Sequence, residues 1–481
     1  MTRRAVLAST LAIAAVVAGS TLGAAGVPKD RDAIEHALNR LAYGPRPADV
    51  DHVQQIGLAT WIDQQLHPDA IDDSALKERL PEQPARPERF DDQMAARQWG
   101  RQSVQALSTE KVIRAVYSER QLEEQLVDFW FNHFNVFAGK GRTSEWIADY
   151  ERHAIRPHVL GKFRDLLEAT AKSPAMLFYL DNWLSADPAA AERQQELARQ
   201  RQARLGGNDT QPTKGQQRKR GLNENYGREL LELHTLGVDG GYTQQDIIEV
   251  ARAFTGWTIT PPAIARGNAG ANGQPARRPQ GRGGQGQLAR GAVQEGEFRF
   301  TPMLHDTGEK IVLGHKIKAG GGIDDGLQVL DIVSRHPATA HHIAFELAQR
   351  FVSDEPPKAL VDRAAKRFKD TDGDLREVVK TIITSDEFFA ARGAKVKTPL
   401  EFLASAMRAT GRELPGGGRQ LLNALMQMGM PLYMCQPPTG YDDTADTWVS
   451  AGALVARMNI AQRIAGPQQA TSIGGPEFQR R

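Results

Sequence analysis

The stretch Asn223-Glu224-Asn225-Tyr226-Gly227-Arg228-Glu229-Leu230-Leu231-Glu232-Leu233-His234-Thr235-Leu236-Gly237, followed closely by Tyr242-Thr243-Gln244-Gln245-Asp246-Ile247, sets the pattern for the whole chain. Residues 223–236 read as one helix, and the second segment reads as the start of another. Thr243 can cap the new helix while Asp246 reaches back to it, and Tyr242 can staple onto Ile247. Helix, short breaker, helix is the unit that recurs on both sides of this block.

Toward the N-terminus, residues 33–41 and 50–66 are helical in pattern, separated by Gly44-Pro45-Arg46-Pro47, with Asp49 as the expected cap of the second helix. One long helix is expected over 110–131, ending in the cluster Phe129-Trp130-Phe131-Asn132-His133-Phe134, an aromatic-rich end suited to anchoring a core. Helical pattern continues over 146–156, 159–173 and 173–180, with Pro157 and Pro174 at the boundaries. Residues 189–222 form a polar, basic insertion, and 261–294 a Gly/Arg/Gln-rich stretch expected to be a disordered loop. Strand-like segments at 297–301 and 310–312 suggest one small hairpin. Beyond Gly326 the pattern is helical until 466–481, read as a disordered tail. The expected fold is mainly α: a single large, irregular multi-helix array over 31–465, with no repeat of fixed period.

The 481 residues carry 60 basic and 58 acidic side chains, a net charge of +2 that argues against a nucleic-acid partner. Met1-Thr2-Arg3-Arg4 and the apolar run after it read as an export signal over 1–25, with small residues from Gly19 to Ala25 offering a cleavage site. The arginine pair fits either a twin-arginine signal, whose route carries folded and often cofactor-bearing proteins, or the basic start of a general secretory signal. Both routes place the mature protein in the periplasm or outside the cell, with no stable membrane span left after cleavage. Cys435 is the one cysteine, so no intramolecular disulfide can form, and Met434-Cys435-Gln436-Pro437-Pro438 offers it no basic neighbour to activate the thiol.

His36-Ala37-Leu38-Asn39-Arg40-Leu41-Ala42-Tyr43-Gly44-Pro45-Arg46, Trp130-Phe131-Asn132-His133-Phe134, Ser173-Pro174-Ala175-Met176-Leu177, Tyr179-Leu180-Asp181-Asn182 and the 223–237 block together resemble the bacterial family catalogued as domain of unknown function 1800. The likeness continues through Ala251-Arg252-Ala253-Phe254-Thr255-Gly256-Trp257, His305-Asp306 with Lys310, and Phe351-Val352, nearly the full mature chain. The resemblance implies an exported protein, often encoded beside a second uncharacterised secreted protein that would be its partner. It implies no reaction. The two Arg- and Gln-rich insertions look particular to this chain.

Asn225, Glu229 and Glu232 stand at spacings of four and three, which puts two carboxylates and an amide on one helical face. That face suits a hard divalent metal, with Asp181 as a further ligand, or a general acid–base pair. The bland alternative is a solvated face on which Arg228 pairs with Glu232. His234 lies around the helix from both carboxylates and reads as either a satisfied core histidine or a nearby catalytic group. His305 and Asp306, in a polar turn, are candidates to bring a base to that face, and His133 is a candidate haem or metal ligand. His336, His341 and His342 read as surface or capping residues, and Asp374 with Glu377 as a capping box.

Three functions remain open: a metal- or acid–base-assisted hydrolase using Glu229, Glu232, His234, His305 and Asp306, a redox protein holding haem or non-haem metal at His133, and a non-enzymatic envelope binding or assembly protein.

Overall fold

The computed structural model describes residues 26–87, 90–190, 221–260, 297–412 and 418–481, together with residues 192, 196 and 200. The expected export signal, most of the first insertion and the 261–294 loop lie outside these residues. The fold is mainly helical, and among the described residues strands occur only as two antiparallel pairs. No helix among the described residues is long and apolar enough to cross a membrane.

One contiguous hydrophobic core runs from Val27 to Ile473. Its centre is the Gln121–His133 helix, whose Trp130 is fully buried against Phe134 and Phe163. The Arg31–Leu41 helix, capped by Asp30, carries Arg40 into the interior. The Arg40 guanidinium donates to the carbonyls of Phe351, Val352, Ala391 and Arg481, so one buried cation ties together three distant pieces of backbone. A charge buried this deeply needs such partners, because desolvating it alone would cost several kcal/mol.

Several local expectations are corrected. The 50–66 helix is two, Asp49–Ile56 and Leu58–Leu66, broken at Gly57 with φ 88°. Asp49 does not cap it; its carboxylate is taken by Arg46 and Arg408. The 110–131 helix is also two, Gln93–Tyr117 and Gln121–His133. Asp73 makes that break, accepting from the Ser118 hydroxyl and the Glu119 amide and so offering the backbone an alternative to helix.

The two strand-like segments do not pair with each other. Phe298–Phe300 pairs with Trp257–Ile259, and Lys310–Val312 pairs with His315–Ile317. Between the latter strands Leu313 and Gly314 both have positive φ, the requirement of a tight two-residue hairpin turn. The tail is ordered: Pro467–Gly474 is a helix, and Arg481 is buried with its backbone paired to Lys395. The capping box at Thr243 and Asp246 is present as expected, whereas Asp374 caps its helix without the reciprocal bond from Glu377.

Candidate functional site

The C-terminal ends of two helices, Gln121–His133 and Asn225–Glu232, meet the Pro337–Phe351 helix at a cleft of about 310 Å³. A loop with three prolines, 430–443, forms its other wall. His133, Glu232, His342, Glu346, Tyr441 and Trp448 all line it.

Within the cleft Glu346 lies between two imidazoles. Its Oε2 is 2.5 Å from His133 Nδ1, and its Oε1 is 3.4 Å from His342 Nε2. Burial would raise the Glu346 carboxyl, but the charge and hydrogen bond of His133, helped by His342, outweigh burial and hold it below its ordinary value. His133 Nε2 lies 3.2 Å from the His234 carbonyl, so both of its ring nitrogens face oxygen acceptors. His342 Nε2 is also 3.2 Å from the Leu233 carbonyl. The tautomer that satisfies these contacts carries the His342 proton on Nε2 and leaves Nδ1 as an acceptor. Burial, with the charge of His133, pushes His342 below its ordinary value despite the nearby Glu346. It therefore stays neutral near pH 7.

The wide turn that ends the Asn225–Glu232 helix presents these carbonyls. The amides of both Leu233 and His234 donate to Glu229, and Leu236 donates to Leu231. His234 is thereby turned into the interior against Phe134, only 2% exposed, and burial followed by the charges of His133 and His342 pushes it down to about 3. Gly237, at φ 86°, passes so close that a Cβ there would sit 3.1 Å from His342 Nδ1.

The opposite wall is pinned by Asn132, the residue before His133. Its amide nitrogen donates to the Tyr441 carbonyl and its oxygen accepts from the Tyr441 amide, both at 2.7 Å. Gly440, at φ 73°, permits this approach, since a Cβ there would lie 2.4 Å from the Asn132 carbonyl oxygen. Tyr441 and Trp448 are set along the wall, with the Trp448 indole donating to the Asp442 carbonyl.

The residues singled out in the sequence fall in three places. Glu232 and His133 share the cleft, with His234 packed behind it. Asn225 and Asp181 line a separate, open hollow near the other end of the same helix. Seven residues along a helix span about 10 Å, so Asn225 and Glu232 cannot hold one ion, and the expected metal face is not assembled. Among the described residues no group of three or more His, Cys, Asp or Glu is arranged to hold a metal ion. Asp181 instead pairs with Lys140 at 2.8 Å. Glu229 is near the cleft but does not line it; burial and then the like charge of Glu232 raise its carboxyl. Arg228 turns away from Glu232 to Gln244 and Glu224.

His305 and Asp306 belong to a different cluster. His305 bonds the Thr255 carbonyl and Asp325, and Asp306 takes a two-pronged bond from Arg252. None of these partners lines the cleft. His133 has no open nitrogen to offer a haem iron while Glu346 and the His234 carbonyl occupy its two edges. Cys435 is buried, and burial pushes its thiol up to about 11, in keeping with an inert side chain.

Sequence reading missed His342 and Glu346. Their spacing of four on the Pro337–Phe351 helix places them on one face, a signal that was there to be read. Only the long-range contact with His133 gives that spacing a chemical meaning. No curated protein and no solved structure matches the chain. The model of the family described as a protein of unknown function, DUF1800, matches residues 36–479, so this chain belongs to that family.

Proposed function

We propose that this protein is an exported hydrolase that works by general acid–base catalysis in the His133–Glu346–His342 cleft. The observation that carries the reading is the Glu346 carboxylate set between two imidazoles at the wall of a cavity. In it, His342 Nδ1 takes a proton from water or a substrate hydroxyl. Glu346, fixed by His133, steadies the imidazolium that forms, as a carboxylate does beside a catalytic histidine. Glu232, on the facing helix end, is the second carboxylate of the site. The apolar, arginine-led N-terminus supports action outside the cytoplasm.

The test is turnover of chromogenic esters, glycosides and peptide amides by the mature protein and by His342→Gln and Glu346→Gln. The wild type should turn over at least one class, with kcat/KM falling about 10²- to 10⁴-fold in either variant. The acidic limb of the pH profile should disappear in His342→Gln. Variants as active as the wild type, or a wild type inert on all three classes, would sink the proposal.

A further inference from the structure

We infer that the Ala451–Ala465 helix is the interface of a homodimer, on which a second copy of this chain packs antiparallel about a two-fold axis passing between Leu454 and Val455. The inference does not rest on the hydrolase reading.

This helix is apolar on two sides. One side joins the core, with Ile460, Ala461, Ile464 and Ala465 buried. The other carries Ala451, Leu454, Val455 and Met458, the i, i+3, i+4, i+7 pattern by which a helix presents one apolar stripe to a neighbour. Here the stripe has no neighbour among the described residues. Val455 is 57% and Met458 53% exposed, Leu454 and Ala451 are exposed beside them, and Val449 extends the patch at the helix start. Contiguous apolar surface rimmed by polar side chains marks a contact face.

The order of residues along the face identifies the occupant. In an antiparallel pair related by a two-fold axis, each residue meets the one equally far on the other side of the axis. With the axis between Leu454 and Val455, Leu454 meets Val455 of the second copy, and Ala451 meets Met458, a small side chain against a long one. Ser450 then meets Asn459, and Thr447 meets Gln462, all four of them exposed and polar. Asp446 meets Arg463. Both are exposed, and among the described residues neither has an ion pair; Arg463 donates to Gln427 Oε1. Apolar thus faces apolar, polar faces polar and acid faces base, all from one centre. A parallel pair would instead set Asp446 against Asp446 and Arg463 against Arg463, and an unrelated partner would require no such symmetry. Asp446 and Thr447 lie in the short Ala445–Trp448 helix that leads into the longer one. Trp448 of that segment lines the cleft, so the interface runs up to the cleft wall.

The experiment is sedimentation velocity of the mature protein across about 1–100 µM. It should run as a dimer at the upper end and dissociate on dilution, because one helix face is a small interface beside the roughly 800 Å² per partner of a standard one. Val455→Glu sets two carboxylates against each other at the axis and should raise the dissociation constant about 100-fold or more. The position is exposed, so an unchanged thermal midpoint reports that the fold is kept. Asp446→Arg alone should weaken the dimer several-fold, and adding Arg463→Asp should restore it. Protein that stays monomeric at the upper end would mean that something other than a second copy covers the face, and would overturn the inference. So would a dimer indifferent to Val455→Glu, or a double variant no tighter than Asp446→Arg, which would exclude the antiparallel register.

Discussion

The cleft around Glu346 and the cluster around Asp325 are built from the same residue types, yet one is open and the other closed. In the closed cluster Lys310 Nζ donates to Asp325 and to the carbonyls of Asp306 and Gly308, which uses all three of its protons. His305 uses both ring nitrogens, and the side chains of Lys310 and Asp325 have no exposed surface. Only Asp325 Oδ1 lacks a partner there. In the cleft, by contrast, Glu232 and Asp442 have hydroxyl partners but no cation among the described residues, and a cavity stands in front of them. A histidine beside an aspartate is thus no evidence of chemistry by itself. What separates a site from a structural brace is whether its polar groups are finished by the protein or left for something else to finish.

That contrast can be broken most directly at Lys310. Lys310→Met leaves the buried Asp325 with His305 alone against its charge among the described residues and strips two carbonyls of a donor, so it should destabilise the fold by about 3–5 kcal/mol. Urea unfolding measures this loss. Turnover per folded molecule should be unchanged, because the closed cluster shares no residue with the cleft. In the cleft the expectation is reversed. His133→Asn should lower kcat/KM about 10²-fold or more, while Tm falls far less than in Lys310→Met. A Lys310 variant that lost turnover without losing stability would erase the distinction between the two regions.

Only part of this contrast was legible in the sequence. The helical class, the Thr243 cap and the inert Cys435 follow from local pattern, because capping and amphipathic spacing act over a few residues. The cleft does not. His133 and Glu346 are 213 residues apart, and nothing near either one announces the other. For the same reason the break at Ser118 was invisible: it contains neither Pro nor Gly, and its cause, Asp73, comes from 45 residues away. The hairpin was misassigned because its turn places Leu313, not Asn or Asp, in a left-handed conformation. The face bearing Asn225, Glu229 and Glu232 was read correctly as a face, but angular position says nothing of distance along the axis, and that distance divides its two ends between different hollows.

A smaller effect sharpens the comparison at the cleft's outer wall. Gly440→Ala must move the loop or the end of the Gln121–His133 helix, since the added Cβ would meet the Asn132 carbonyl oxygen. With the left-handed backbone at that position, a cost of about 1–3 kcal/mol is expected. The amides of 439–443 should exchange faster with solvent, and kcat/KM at the cleft should fall, with no change in exchange near Asp325. An unaltered kcat/KM would show that the Asn132 bracket holds the loop without shaping the cleft.

The mildest test uses pH. His234 is pushed down to about 3, first by burial and then by the charges of His133 and His342, whereas an unfolded histidine titrates near about 6.5. Between those values the unfolded chain holds a proton there that the folded chain does not. Stability therefore falls as pH drops from about 6.5 toward 3, at no more than about 1.4 kcal/mol per pH unit from this residue. His36, lowered to about 4 mainly by burial and then by Arg40, adds a slope of the same sign over a slightly shorter range. His234→Gln should flatten the urea midpoint plotted against pH by one proton, and His36→Gln should do the same from a position outside both regions. If His234→Gln left the slope intact while His36→Gln reduced it, His234 would already carry its proton in the folded protein. The burial of its ring against Phe134 would then not set its charge state, and a positive charge there would only push the neighbouring His342 further toward its neutral form.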